Sequence, residues 1–132
     1  MAALAKDRNT SSREDSLIAV PVKKSVTIHA GSLVVADGGY AKPGVKAQNL
    51  VALGMAEQSV KGGAADGDAT VLVRRGTFLW ANSSGGDAVA QADLYKDVYI
   101  ADDQTVTKTD TGASKAGKAV ALDPDGVWVE TL

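Results

Sequence analysis

Cysteine is absent from this chain of 132 residues, and histidine occurs only once, as His29. The absence of cysteine excludes disulfide bonds and thiol chemistry, and it removes the strongest protein ligand for zinc. Aromatic residues are also few, with two Trp, three Tyr and one Phe. The core must therefore be built from small and β-branched side chains, which favours closely packed sheets over a helical bundle.

Neither sign of charge is in large excess, because 14 Lys and Arg stand against 16 Asp and Glu, for a net charge of −2. A basic surface that would bind nucleic acid is therefore not expected. Apolar runs of about 18 residues or more are missing, so the sequence predicts no membrane-spanning helix. The first sixteen residues lack the apolar segment of a signal peptide, and we expect intracellular synthesis.

Short runs of β-branched and aromatic residues alternate with turn residues beyond position 16. The most informative run is VLVRRGTFLWANS at 71–83, which predicts two strands separated at Gly76. Gly54 is expected to form a bulge or a point of close packing in another strand. The DPDG segment at 123–126 predicts a hairpin turn, because proline presets φ and glycine accepts a positive φ. About eight to ten short strands of this kind predict an all-β fold, either a small β-sandwich or a β-barrel.

Two segments depart from the strand pattern. Residues 1–16 are mostly polar and have no helical or strand period, so they predict an extended N-terminal arm. The remaining residues, 17–132, are expected to form a single β-rich domain. Within that domain, residues 88–96 are the best candidate for one short helix, with Asp87 as its N-cap.

Candidate catalytic groups do not combine into a motif. His29 has no nucleophile or orienting carboxylate at a spacing typical of a catalytic triad, and one histidine without cysteine is a poor metal site. The glycine pairs lack the Gly-Lys-Ser/Thr sequence of a phosphate-binding loop. The remaining acidic candidates are interpreted as turn residues: Asp102, Asp103, Asp123 and Asp125. We therefore expect neither enzymatic activity nor a cofactor.

The candidate partner-binding residues are two adjacent arginines, one tryptophan and the cations of the arm. Arg74 and Arg75 form a compact basic pair within a predicted strand. Successive strand residues point to opposite faces, so one arginine is expected to bind an internal carboxylate and the other to face a partner. Trp80 and Trp128 are expected to anchor the core or an interface. Trp128 lies on a terminal strand, which is expected to join a neighbouring sheet or a subunit interface. Arg8 and Arg13 are the corresponding candidates within the arm.

Several segments, taken in order, resemble the structural cement or head decoration proteins of tailed phages. The resemblance spans residues 19–132 and excludes the arm. It is carried by AGSLVV at 30–35, GYAKP at 39–43, LGMAE at 53–57, GGAADG at 62–67, VRRGTF at 73–78, WANS at 80–83, LYKDVYIADDQTV at 94–106 and GVWV at 126–129.

The resemblance implies a virion protein that binds the outer surface of the capsid and clamps neighbouring major capsid protein subunits against DNA pressure. It implies self-association, for which a homotrimer is favoured and a homodimer is the alternative. It carries over no catalytic residue. A different interpretation of a small β-sandwich is a carbohydrate or host-surface binding module, which needs an aromatic platform drawn from Tyr40, Tyr95 and Tyr99.

Overall fold

The computed structural model describes residues 2–9, 11 and 16–131. Within them the chain forms strands β1 (Leu17–Pro21), β2 (Thr27–Ile28), β3 (Leu33–Asp37), β4 (Tyr40–Pro43), β5 (Val51–Ala56), β6 (Val60–Lys61), β7 (Thr70–Arg74), β8 (Gly76–Asn82), β9 (Asp97–Ile100), β10 (Thr105–Thr107), β11 (Lys115–Asp123) and β12 (Gly126–Thr131). Two short 3-10 helices lie at Gly85–Asp87 and Gln91–Asp93. The predicted all-β fold is confirmed.

The strands form two main units that follow each other along the chain. Strands β1, β3, β4, β5 and β7 make an antiparallel sheet in the order β1-β7-β5-β3-β4, and β2 pairs with β6 beside it. Strands β8 to β12 close into a barrel in the order β10-β8-β12-β11-β9. The predicted break at Gly76 is therefore the point where the sheet ends and the barrel begins.

Strand β3 lies between two hydrophobic cores. Val34 packs with Val20, Val71 and other residues of the first sheet, whereas Leu33 and Val35 pack into the core of the barrel. All of these side chains are buried. Because successive strand residues point to opposite faces, one short apolar strand supplies both cores and joins the two units.

Gly54 forms the predicted bulge in β5. The register between β3 and β5 shifts at Val34 and Val35, opposite this glycine. Its φ of 142° lies in the region that L residues rarely adopt, and a Cβ there would lie 2.1 Å from the Arg74 carbonyl oxygen. Glycine therefore allows β5 to approach the end of β7 closely.

The helix expected over residues 88–96 is not continuous. Ala88 and Ala90 have extended backbones, and Asp87 ends the first 3-10 helix instead of capping a longer one. The side chain of Asn82 accepts a hydrogen bond from the Val89 N–H at 2.8 Å and donates one to the Val89 carbonyl at 3.0 Å. The second bond occupies the Val89 carbonyl, an acceptor that a continuous helix over residues 88–96 would use. Across the described residues, no helix is long and apolar enough to cross a bilayer.

Candidate partner-binding surfaces

Residues 2–9 and 11 of the arm are exposed and lie outside any helix or strand. Residues 2–9 are all solvent-exposed, and Leu4 retains 73% of its accessible surface. Arg8 is among these exposed residues. Arg13, the other candidate of the arm, lies outside the described residues. An exposed leucine beside charged residues gives this segment both apolar and polar groups for contact with another surface.

Arg74 ends β7 and forms an ion pair within the chain. Its Nε donates to Oε1 of Glu57, and both side chains remain partly exposed. Arg74 is the cross-strand partner of Leu17 on β1 and of Met55 on β5, so its side chain lies on the same sheet face as theirs. This contact confirms that one arginine of the pair binds an internal carboxylate.

Arg75 lies in the connection between the two units. Its backbone N–H donates to the Ser16 carbonyl at 2.8 Å, which holds the start of β1 against this connection. The residue is half-buried, and its guanidinium makes no ion pair or hydrogen bond with another described residue. Its donors remain available for a carboxylate of a partner. The partner-facing role of Arg75 stays a prediction.

Apolar side chains are exposed around Arg74 on the outer face of β1 and β7. Leu17 and Leu72 keep 38% and 39% of their surface, and Ala19 is the exposed cross-strand partner of Leu72. We call Leu17, Ala19, Leu72 and Arg74 the β1–β7 face. This face combines exposed apolar side chains with an arginine whose charge is neutralised by Glu57, a combination suited to protein contact.

Trp128 lies on the outside of the barrel. Its cross-strand partners are Leu79 on β8 and Ala121 on β11, and these three residues form what we call the barrel face. Trp128 and Leu79 retain 37% and 36% of their surface. Trp80, in contrast, is 4% exposed and belongs to the barrel core. Of the two tryptophans, only Trp128 is positioned for an outside contact.

The terminal strand itself cannot extend a neighbouring sheet. Strand β12 is paired with β8 on one side and with β11 on the other, so its backbone groups already have partners. The expectation that the strand of Trp128 could join another sheet is therefore wrong. A contact through the side chain of Trp128 remains a prediction.

Two of the acidic residues singled out in the sequence bind locally in turns. Asp102 Oδ1 accepts a hydrogen bond from the Gln104 N–H at 2.9 Å, and Asp123 Oδ1 accepts one from the Asp125 N–H at 3.0 Å. Such bonds stabilise turns. His29 is exposed just beyond β2. Within the described residues, no group of His, Asp or Glu could hold a metal ion.

A groove of about 370 Å³ lies between β5, β11 and β12. Its wall includes Val51, Lys115, Lys118 and Thr131. Lys115 binds Asp97 at 3.2 Å, and the Thr131 hydroxyl donates to the Ala116 carbonyl at 2.9 Å. These two polar groups already have partners within the barrel, so the groove does not present them as a catalytic pair.

The three tyrosines do not form an aromatic platform in the described residues. Tyr95 is 71% exposed, whereas Tyr40 and Tyr99 are half-buried on β4 and β9. The ring contact found in this part of the chain is between Phe78 and Trp80, with centroids 6.0 Å apart. The arrangement therefore offers a sugar ring one exposed tyrosine instead of a set of adjacent aromatic faces.

Comparison of the chain with protein-family models, with curated proteins and with solved structures found no match.

Proposed function

We propose that this protein is a capsid decoration protein, which binds the outer surface of a phage head and links neighbouring major capsid protein subunits. The observation that carries the proposal is the exposed arm, which leads through Ser16 into an edge strand of a well-packed β body. The motifs between residues 19 and 132 that resemble cement proteins point in the same direction. No catalytic step is part of the proposal.

The division between arm and body suits this role. The two cores give the body a defined shape, and the arm can reach a neighbouring capsid subunit beyond the area that the body covers. A segment that orders on docking loses conformational entropy at that moment, so it favours surfaces that provide enough contacts in the right places. Repetition over a capsid lattice then adds avidity to contacts that are individually weak.

The exposed faces supply chemistry for such contacts. The β1–β7 face offers leucine side chains beside the Arg74–Glu57 ion pair, and the barrel face offers Trp128. Tryptophan and arginine are frequent energetic anchors in protein interfaces. Arg75 adds a guanidinium that can bind a carboxylate of the capsid subunit in a bidentate manner.

The test is cosedimentation of the purified protein with undecorated phage heads, followed by cryo-electron microscopy of the pellet. We expect saturable binding and ordered density at symmetry-related positions on the outside of the shell. Heads already carrying the protein serve as the control for non-specific pelleting. Absence of binding to mature heads would overturn the proposal, and screening of glycans would then test the host-surface alternative.

A further inference from the structure

We propose that β1 is a self-association edge, at which two copies of this chain pair their β1 strands antiparallel across a two-fold axis beside Ile18. The inference goes beyond capsid attachment, because it concerns the purified protein by itself. It follows from the hydrogen-bond register of β1, from the composition of that strand and from the exposed side chains that flank it.

The register shows which backbone groups of β1 point outward. Ser16 accepts from the Arg75 N–H, and the Val22 N–H donates to the Ala69 carbonyl, each at 2.8 Å. Since bonded positions alternate along an antiparallel strand, the groups of Leu17 and Ala19 point away from β7. These groups make no hydrogen bond with another described residue. The first half of β1 is therefore an open edge.

The second half of β1 is not open. Val22 forms a parallel bridge with Ala41, and the Lys23 N–H donates to the Ala41 carbonyl at 2.9 Å. Pro21 has no N–H to donate. A partner strand can therefore add only at Leu17 and Ala19, which limits both its length and its register.

A second copy of the same strand satisfies this short edge completely. With the two-fold axis beside Ile18, Leu17 of each copy lies opposite Ala19 of the other. The outward N–H and C=O of each residue then meet the C=O and N–H of its partner, in the pattern of a bonded antiparallel pair. Pro21 stays outside this ladder, so its missing N–H costs nothing. The edge is thus complementary to itself, as an isologous interface requires.

The composition of β1 also favours pairing with itself. Natural edge strands are commonly protected by charged side chains or by proline; β1 reads LIAVP, which contains no charge and whose proline lies beyond the open half. Leu17, at 38% exposure, would pack beside Ala19 of the second copy on the outer face. On the inner face, the partly buried Ile18 would contact its symmetry mate and extend the core of the first sheet. Arg74 beside Leu17 is neutralised by Glu57, so like charges do not meet there.

The pairing predicts a dimer and not a trimer. A two-fold interface closes after two copies, because each copy contributes the same β1 edge to one shared interface. The homotrimer favoured from the sequence and the dimer formed through β1 therefore differ in mass. Sedimentation velocity of the full chain distinguishes a particle of twice the chain mass of 13.5 kDa from one of three times that mass.

The register is tested by charge substitutions on the outer face at positions 17 and 19. Leu17→Lys/Ala19→Lys places like charges opposite each other across the axis and should weaken association by about tenfold or more. Leu17→Glu/Ala19→Lys places opposite charges there and should restore the dimer. A pairing centred on Ala19 would instead place the two lysines of Leu17→Glu/Ala19→Lys against each other, so restoration identifies the register.

Leu79→Lys, on the barrel face, is the matched control and should leave the dimer unchanged. Circular dichroism of every variant separates loss of association from loss of folding. A monomeric or trimeric parent protein, or a dimer that resists Leu17→Lys/Ala19→Lys while the variant stays folded, would overturn the inference. Because these measurements need no phage heads, their failure is distinguishable from failure of the proposed capsid function.

Discussion

Gly54 occupies the most sterically restricted of the positions that shape the first sheet. A Cβ at this residue would lie 2.1 Å from the Arg74 carbonyl oxygen and 3.3 Å from the Arg75 Cα, and its φ is 142°. The atoms that this Cβ would meet belong to the backbone of Arg74 and Arg75, which cannot move away as a flexible side chain could. The glycine thus sets the distance between β5 and the segment that carries both arginines.

We expect Gly54→Ala to lower the free energy of unfolding by about 3 kcal/mol, because it combines backbone strain with a clash. Urea unfolding followed by circular dichroism measures this change. Gly86→Ala is the control, since a Cβ at Gly86 meets no atom within 4 Å and its φ is ordinary. That substitution should change stability by about 0.5 kcal/mol or less. Equal effects of the two substitutions would contradict the steric explanation.

Asp37 is a second residue whose behaviour follows from its immediate neighbours. Lys42 lies 3.0 Å from its carboxylate and Lys23 lies 3.8 Å away. The hydrogen bond from Lys42 and the charge of that lysine lower the pKa of Asp37 below its ordinary value of 3.8, with a smaller contribution from Lys23. The group is exposed, so its effect on stability is small.

We expect an NMR titration to give Asp37 a pKa below 3.8, and Lys42→Gln to raise it towards that value. Since the pKa is lower in the folded state than in the unfolded state, the stabilisation is complete above pH 3.8. It is lost as the pH falls through the lower, folded pKa. Lys46→Gln removes an exposed lysine that forms no ion pair with Asp37 and should leave the titration unchanged. An unaltered Asp37 titration in Lys42→Gln would refute the assignment.

At the scale of elements, the arm and β1 meet at Ser16. The Ser16 carbonyl accepts the Arg75 N–H, so this residue belongs structurally to the sheet although its sequence belongs to the polar segment. A deletion that tests the arm should therefore remove residues 1–15 and keep Ser16. Removal of Ser16 as well would leave the Arg75 N–H without its acceptor. A loss of binding could then result from a loss of stability instead of the loss of the arm.

We expect deletion of residues 1–15 to leave the free energy of unfolding within about 0.5 kcal/mol of the full chain. Binding to undecorated heads should fall by about tenfold or more, because the contacts of the arm are lost while the body is unchanged. Cosedimentation measures occupancy, and thermal unfolding of the same samples is the control. Equal occupancy of the truncated and full-length proteins would show that the arm does not contribute to attachment.

At the scale of the whole molecule, β3 couples the sheet to the barrel. The barrel core includes Val35, and the first core includes the adjacent Val34. Neither unit can therefore lose β3 and keep its core intact. This sharing supports the prediction that residues 17–132 behave as one domain.

We expect one cooperative unfolding transition by calorimetry and by denaturant. Val35→Ala should destabilise the chain by about 2 kcal/mol, and amide exchange should accelerate in both β7 and β12. Val51→Ala, at a side chain that is 62% exposed, is the control and should change little. Two separate transitions, or faster exchange confined to the barrel, would show that the two units fold independently.

Local sequence patterns were sufficient to predict many individual elements. The run at 71–83 contains all of β8 and all but the first residue of β7, with β8 beginning at Gly76, and the DPDG turn connects β11 to β12. The bulge at Gly54 was predicted from an isolated glycine in an apolar run. These features depend on side-chain alternation and on the φ preferences of glycine and proline, which are properties of neighbouring residues.

Contacts between distant segments could not be predicted from local sequence patterns. The carboxylate bound by Arg74 is Glu57, which lies 17 residues earlier in the chain. Residues 88–96 form no continuous helix, and the side chain of Asn82 reaches across to bind Val89 instead. Neither contact can be predicted from the periodicity of the sequence, because strand pairing determines where each side chain lies.

The sequence by itself determined the class of the fold, since alternating apolar residues and frequent turns suit sheets and the absence of cysteine excludes disulfide bonds. Only the tertiary structure decided that the first half of β1 has no strand partner on one side among the described residues, whereas β12 is paired on both sides. It also decided that Trp128 lies outside and Trp80 inside, and that β3 serves two cores. The physical reason is that burial and strand pairing are shared between segments far apart in the chain. A residue pattern specifies which side chains need a partner, and the assembled sheets determine which partner they meet.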